Sequence, residues 1–280
     1  MANIGLNCSK GSDLSVSLMD TAPDTKNHLE TVRSQFRRQA EVYAAMPVVT
    51  DPEFLSFIVS ISGVGKTDNV LDIASGPGFV AMAFAPHCDR VVGIDATDRF
   101  VERAIAEAAR RNLRNASFIL GDVERMVFAD DSFDIAACRF AFHHFPRPAN
   151  VFAEMRRVVR PGGKLVIVDM LASEDAAKAE YHNRVERLCD PSHARALPAS
   201  EFEHMFAAQG CDLLYKQTRK TSYSIEEWIA HGAPPPDQAA QIRELLAASI
   251  ADDKSGLDIR RVNDTMYFSH TGASYVLRKR

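Results

Sequence analysis

The segment Asp72-Ile73-Ala74-Ser75-Gly76-Pro77-Gly78 has the residue types of a ligand-cradling turn. An acid sits at the end of an apolar run, small residues follow, and a helix-forming stretch comes next. Small residues let a backbone approach a ligand without side-chain clash, and ligands of open α/β sheets lie outside the carboxyl ends of the strands. Taken alone, the same residues also fit a purely structural turn. The next apolar run ends in Gly93-Ile94-Asp95, nineteen residues beyond Gly76, where a carboxylate can accept hydrogen bonds from both hydroxyls of a ribose. Gly76, Gly78 and Ala81 also satisfy G-x-G-x-x-G/A, so a nicotinamide or flavin dinucleotide is a rival ligand. Three features weigh against it. Asp72 stands four residues before Gly76, where dinucleotide folds keep an apolar residue. Asp122, in Leu120-Gly121-Asp122-Val123, is placed to reach an adenine amino group. Asp131-Ser132-Phe133-Asp134 opens the fourth apolar run, and Arg160-Pro161-Gly162-Gly163 introduces the fifth.

A second group of residues could act on protons. Arg139-Phe140-Ala141-Phe142-His143-His144-Phe145 follows the fourth run, and histidine exchanges protons near neutral pH. His144 or His143 is therefore a candidate base, with a packing or capping role as the plainer alternative. Adjacent histidines chelate poorly from one face, so no metal site is expected. Gly63-Val64-Gly65-Lys66-Thr67 resembles a phosphate loop only superficially. Ser60 occupies the position where the motif needs glycine, and the segment precedes a strand instead of following one. It reads as a connecting turn.

The elements needed to hold these groups are legible in the periodicity. Apolar runs at Asn69–Ile73, Arg90–Ile94, Ala116–Leu120, Phe133–Arg139 and Lys164–Met170 lack in-out alternation, as expected of parallel strands covered on both faces. Helices starting near Pro77, Thr97 and Pro148 separate them, which implies a doubly wound sheet with right-handed crossovers. Helical spacing predicts an earlier helix over 27–45 and another from Asp51 to about Ser62. Beyond Met170, helices are expected at 174–188, at 199–208 and over Ile225–Ile250 with a break at Pro234-Pro235-Pro236. Strands are expected at Asp212–Thr218, Thr265–Ser269 and Ser274–Arg278. The division is a flexible tail over 1–25, cap helices over 26–62, a ligand-binding core over 63–172, and a C-terminal part of the sheet with a helical cap insertion over 173–280.

The motif set, in this order and spacing, resembles class I methyltransferases dependent on S-adenosylmethionine (SAM), in the ubiquinone/menaquinone-biosynthesis C-methyltransferase-like group. The match is strong over residues 35–172 and weaker beyond. It implies an α/β fold with a doubly wound, mostly parallel, seven-stranded sheet and helical cap insertions. It implies SAM as cofactor, with S-adenosylhomocysteine as product. The family pattern is an acid followed by three glycines at alternate positions. Here it reads Asp72, Ala74, Gly76, Gly78, with Ala74 as the one departure. By resemblance, Asp72 and the backbone of Ala74, Ser75, Gly76 and Gly78 hold the methionine part. Asp95 and Ala96 hold the ribose, and Asp122 with the Val123 amide holds the adenine. The backbone near Arg139 approaches the methionine amino group. Phe36 and Tyr43, in F-x-x-x-A-x-x-Y, resemble the entry helix that folds over the cofactor, although a core-facing stripe explains them equally.

The resemblance also draws attention to Asp190-Pro191-Ser192-His193-Ala194-Arg195, a run the family keeps near the active-site mouth. His193 and Arg195 become candidates for binding an anionic or phenolic acceptor, with His193 also a candidate base, and a hydrogen-bonded helix-end loop is the alternative. Tyr181, Trp228, His231 and Met266 are further candidates for the acceptor pocket. The expected function is methyl transfer to a small organic metabolite or natural product. The cofactor motifs are equally compatible with a non-methylating reaction such as cyclisation or decarboxylation, or with a non-catalytic SAM-binding regulator.

Composition narrows the partners. Of 280 residues, 46% are hydrophobic and 25% charged, with a net charge of −4. No basic stripe marks a nucleic-acid footprint, and Arg278-Lys279-Arg280 reads as a solvated end. No apolar stretch approaches the roughly 20 residues that span a bilayer, so no membrane partner is expected. Five scattered cysteines without CxxC spacing point to a reducing, cytoplasmic setting. A homodimer is left open.

Overall fold

A computed structural model describes residues 25–280. The tail expected over 1–25 lies outside them, save Thr25, which opens the first helix. The N-terminal helices are α1 (Thr25–Ala45), α2 (Pro47–Thr50) and α3 (Pro52–Ser62). The start of α3 follows from its sequence. Asp51 accepts the amide of Glu53 at 3.0 Å, and Pro52 occupies the first turn, where no amide is needed. Gly63 ends the helix in a left-handed conformation (φ 60°) that a residue with a side chain rarely adopts. The phosphate-loop look-alike is thus a helix cap followed by a turn.

Then strands and helices alternate. The order is β1 (Asn69–Ile73), α4 (Phe79–Phe84), β2 (Arg90–Asp95), α5 (Asp98–Arg110), β3 (Ala116–Leu120), β4 (Phe133–Arg139), α6 (Pro148–Val158) and β5 (Val159–Leu171). The C-terminal part follows as α7 (Ala176–Cys189), α8 (Ala199–Ala208), β6 (Cys211–Ser224), α9 (Ile225–Gly232), α10 (Pro236–Ala248), β7 (Arg260–Val262) and β8 (Thr265–Lys279). The sheet runs β3-β2-β1-β4-β5-β8-β6, with β7 paired to β8 at the side. β1 to β5 are mutually parallel, and β8 is antiparallel to both β5 and β6. The path holds the expected number of seven strands, and β7 makes the eighth.

Burial explains why the inner strands do not alternate. Val70 packs into one apolar layer and its neighbour Leu71 into the other, and both are fully buried. Burying such a side chain stabilises by roughly 1.5–3 kcal/mol, so both faces select for branched apolar residues. A third apolar cluster, including Val185, Ile225, Ile242, Leu246 and Phe268, joins α7, α9, α10 and β8.

Two expectations are corrected. Thr265–Ser269 and Ser274–Arg278 are one strand, because His270 to Ala273 pair without interruption with Thr221 to Thr218 of β6. Gly272 within it pairs with Met170 of β5. The C-terminal basic run is not merely solvated. Lys279 is 8% exposed and donates to Asp131 and to the Val159 carbonyl, while Arg278 and Arg280 both pair with Asp212.

Candidate active site

The carboxyl ends of β1, β2 and β4 open into a cavity of 370 Å³ lined by Asp72, Ala74, Ser75, Gly76, Asp95, Ala96, Asp122, Val123 and Arg139. The turn after β1 makes its floor. Ala74 and Gly76 both adopt positive φ, at 52°, which folds the turn back so that the Ser75 amide donates to the Ile94 carbonyl at 3.0 Å. Asp95 ties this turn to β2, accepting the amides of Gly76 and Thr97 at 2.8 Å each. Asp72 is 1% exposed and accepts the amide of Ala81 at 2.9 Å. Burial outweighs that bond and pushes its carboxyl up to about 7. Gly78 does not line the cavity. It caps α4 in a left-handed conformation, and a Cβ there would strike Phe118 at 2.6 Å.

Two polar atoms in this wall have no hydrogen-bond partner. They are Ser75 Oγ and Arg139 Nη1, both enclosed, while Arg139 Nη2 donates to the Val49 carbonyl at 3.0 Å. Enclosed orphan donors are costly and rare. Ser75 Oγ lies over Gly93, where a Cβ would meet it at 2.8 Å, and the Arg139 charge acts on Asp72, lowering its carboxyl against the effect of burial. A ligand carrying both a carboxylate and an ammonium would find partners in Arg139 and Asp72.

Helix α1 roofs the cavity. Arg33 donates to the Ala96 carbonyl at 3.0 Å and His28 reaches the His144 carbonyl at 2.8 Å. Phe36 and Tyr43 face inward, 5.7 Å apart edge-to-face, and both stack near Phe100.

A second cavity of 680 Å³ adjoins the first. Phe36, Tyr43, Phe140 and His144 line both. Phe140 holds a positive φ of 53°, an outlier for an aromatic residue that costs of order 1–3 kcal/mol. Its amide bond to the Val168 carbonyl at 2.8 Å helps keep it there.

His143 lines the second cavity, and its Nδ1 lies 2.6 Å from Asp169 Oδ1. A carboxylate can only accept, so Nδ1 carries the hydrogen and the neutral ring presents a lone pair at Nε2. Burial disfavours charge on His143, but Asp169 outweighs it and raises the imidazole above its ordinary value. His144 differs. Its Nδ1 contacts the Ser192 carbonyl at 3.0 Å, and burial beside His143 lowers it to about 4.

The Asp190–Arg195 loop serves these histidines through its backbone. The amides of Ala194 and Arg195 donate to the His143 carbonyl, and Asp190 accepts both the amide and the hydroxyl of Ser192. His193 is buried away from both cavities, 2.7 Å from Asn183 Oδ1. Arg195 pairs with Glu201 at the surface, so neither side chain faces the acceptor space. Tyr181 donates to the Leu245 carbonyl at 2.7 Å between α7 and α10, and Met266 packs into the third cluster. Trp228 and His231 do line the second cavity. Asp169 is absent from the residues that the sequence marks. Its signal is an acid directly after the buried apolar stretch Leu165–Val168 of β5, the same signal that marks Asp72 and Asp95.

A family model described as a methyltransferase domain matches residues 71–167. YcgJ of Bacillus subtilis, an uncharacterized methyltransferase, is 36% identical over 214 residues, covering 76% of this chain and 84% of its own length. The chain belongs to the class I SAM-dependent methyltransferases. The solved YcgJ structure superposes on this methyltransferase with a TM-score of 0.75, covering 81% of this chain and 97% of that one. A Bacillus halodurans structure described as a methyltransferase gives 0.77 at 29% identity, covering 80% and 98%. A Thermotoga maritima demethylmenaquinone methyltransferase is 31% identical over 154 residues, spanning 52% of this chain and 63% of its own. Among the described residues, no helix is long and apolar enough to cross a membrane, and Cys88, Cys138, Cys189 and Cys211 are unpaired.

Proposed function

We propose that this methyltransferase moves a methyl group from SAM, bound in the smaller cavity, to a small organic acceptor in the larger one. The observation that carries this reading is the shared wall of Phe36, Tyr43, Phe140 and His144 between the two cavities. In-line transfer needs donor and acceptor atoms about 3 Å apart with water excluded, and a common aromatic wall suits both needs.

SAM brings an already activated methyl group, so the protein's task is placement. The smaller cavity fits it chemically. Asp95 and Ala96 would hold the ribose, Asp122 and Val123 the adenine, and the orphan Ser75 hydroxyl and Arg139 guanidinium the carboxylate of the methionine part. Asp72 would face its ammonium. On the acceptor side, His143 is the candidate base. Its Nδ1–H is fixed by Asp169, which aims the Nε2 lone pair and stabilises the ring once it takes a proton from an acidic hydroxyl, amine or carbon. His144, neutral at physiological pH, shapes the passage between the cavities.

The test is a screen of small phenols, carboxylic acids, amines and acidic carbon compounds with methyl-labelled SAM. Labelled product and one S-adenosylhomocysteine per methylated acceptor are expected. Conversion of an acceptor with no S-adenosylhomocysteine formed would sink methyl transfer in favour of a non-methylating reaction.

A further inference from the structure

Away from the cofactor, three ligand-type atoms from two elements converge on the wall of the larger cavity. His182 and Glu186 stand one turn apart on α7, and His270 reaches them from β8. Glu186 Oε1 lies 3.3 Å from His182 Nε2 and 2.7 Å from His270 Nε2. The three atoms all fall within 4.8 Å of one another. Two bonds of about 2.0–2.1 Å to a common ion place ligand atoms about 3 Å apart at near-tetrahedral or octahedral angles, and the two Glu186 pairs, at 3.3 and 2.7 Å, bracket that spacing.

The surroundings suit such an ion. His182 and Glu186 are 1% and 5% exposed, and His270 is 9% exposed. Phe268 and Trp228 pack edge-on against the His270 ring and Tyr223 lies beside it, which fixes its orientation. Imidazole and carboxylate side chains are both established ligands of such ions, and all three here stand on regular elements, α7 and β8. Glu186 and His270 line the acceptor cavity, so coordination positions left open by three protein ligands lie on that side.

We propose that His182, Glu186 and His270 form a site for a divalent transition-metal ion at the wall of the acceptor cavity. Two imidazoles and one carboxylate suit zinc, iron(II), cobalt or manganese better than magnesium or calcium, which take all-oxygen shells. The ion offers the acceptor an anchor for a hydroxyl, carboxylate or carbonyl oxygen. This contact with the acceptor rests on the methyl-transfer reading, whereas the metal site stands without it.

The experiment is a cobalt(II) titration of the chelator-treated full chain, followed by visible absorption and equilibrium dialysis. One equivalent is expected to bind, with the absorption of a nitrogen- and oxygen-ligated ion. Loss of a mere outer hydrogen-bond partner weakens metal sites about 10–100-fold, so Glu186→Gln and His270→Ala should each weaken cobalt binding about 100-fold or more. SAM affinity, measured on the same samples, should not change and reports that each variant is folded. Failure of the wild-type chain to take up one equivalent overturns the proposal by itself. Equal affinity in a folded variant overturns the ligand assignment. Neither result bears on whether S-adenosylhomocysteine forms, so the two readings fail separately.

Discussion

The carboxylate of Asp169 grips His143 Nδ1 at 2.6 Å while three backbone amides, of Ala141, Phe142 and Met170, occupy its remaining lone pairs at 2.7–3.0 Å. All four partners are donors, so the carboxylate cannot be replaced by an amide without turning an NH₂ against another donor. Asp169→Asn is expected to destabilise the fold by about 1–3 kcal/mol and to lower kcat more than it raises KM.

The same pair sets a pH dependence. His143 must be neutral to act as a base, and Asp169 raises it above the ordinary 6.5. Activity should therefore fall as pH drops through a midpoint above 6.5, and Asp169→Asn should move that midpoint to lower pH. The stabilisation from charged His143 follows the opposite course, present at low pH and lost as pH rises past the folded value. A kcat–pH profile of both proteins checks the shift, and an unmoved acid limb would remove His143 from the chemistry.

Asp72 titrates near 7 because it is buried. Its charged form is disfavoured in the folded protein, so the fold loses stability from this group as pH rises from about 4 through 7. A bound ammonium would favour the ionised acid. SAM affinity should rise between pH 6 and 8 with release of a proton to buffer, and Asp72→Asn should flatten the dependence and weaken binding about tenfold. Calorimetry in buffers of different ionisation enthalpy reads both effects.

Arg139 is half satisfied, with Nη2 on the Val49 carbonyl and Nη1 enclosed without a partner. Arg139→Met leaves the Val49 carbonyl without this donor and removes a cation that favours the buried Asp72 carboxylate, and removing one partner of a buried charge pair destabilises. The thermal midpoint of the ligand-free protein should fall, and SAM affinity of the folded variant should fall about 10–100-fold, the worth of a hydrogen bond to a charged group. Unchanged affinity would contradict its role toward the carboxylate.

Ala74 sits at φ 52°, where an L-residue with a Cβ pays about 1–2 kcal/mol. Ala74→Gly relieves that strain but loosens the unfolded chain by about 0.4–1 kcal/mol. Chemical denaturation should show stability unchanged or higher by up to about 1 kcal/mol, whereas Ala→Gly at ordinary φ destabilises.

The parts of the molecule governed by local rules were legible in the sequence. β1, β3 and β4 fall on their expected residues, and β2 runs one residue longer, to Asp95. Their both-face burial writes itself as unbroken apolar runs. β6 was read only to Thr218 because its second half is largely exposed and carries no apolar period. β8 reads as two strands with a gap over 270–273, where Gly272 weakens the strand pattern and only the pairing with β5 and β6 keeps the strand continuous. At the site, acids following the Gly-rich turn were found because spacing marks them. Asp169, Glu186 and His270 were missed because their meaning lies in contacts across 26 and 84 positions of chain. Conversely, the family resemblance points to His193 and residue type to Tyr181, and the structure bonds them to Asn183 and to the Leu245 carbonyl.

Helix α1 presents Phe36 and Tyr43 to both chambers at once and is tied down chiefly at part-exposed points, through Arg33, Arg37 and Gln39. Only Arg37–Asp98 among these is an ion pair, and exposed pairs of this kind hold weakly, at about 0–1 kcal/mol. On the methyl-transfer reading, one helix closes both ligand spaces, so a displacement of α1 that opened the donor cavity would open the acceptor cavity with it.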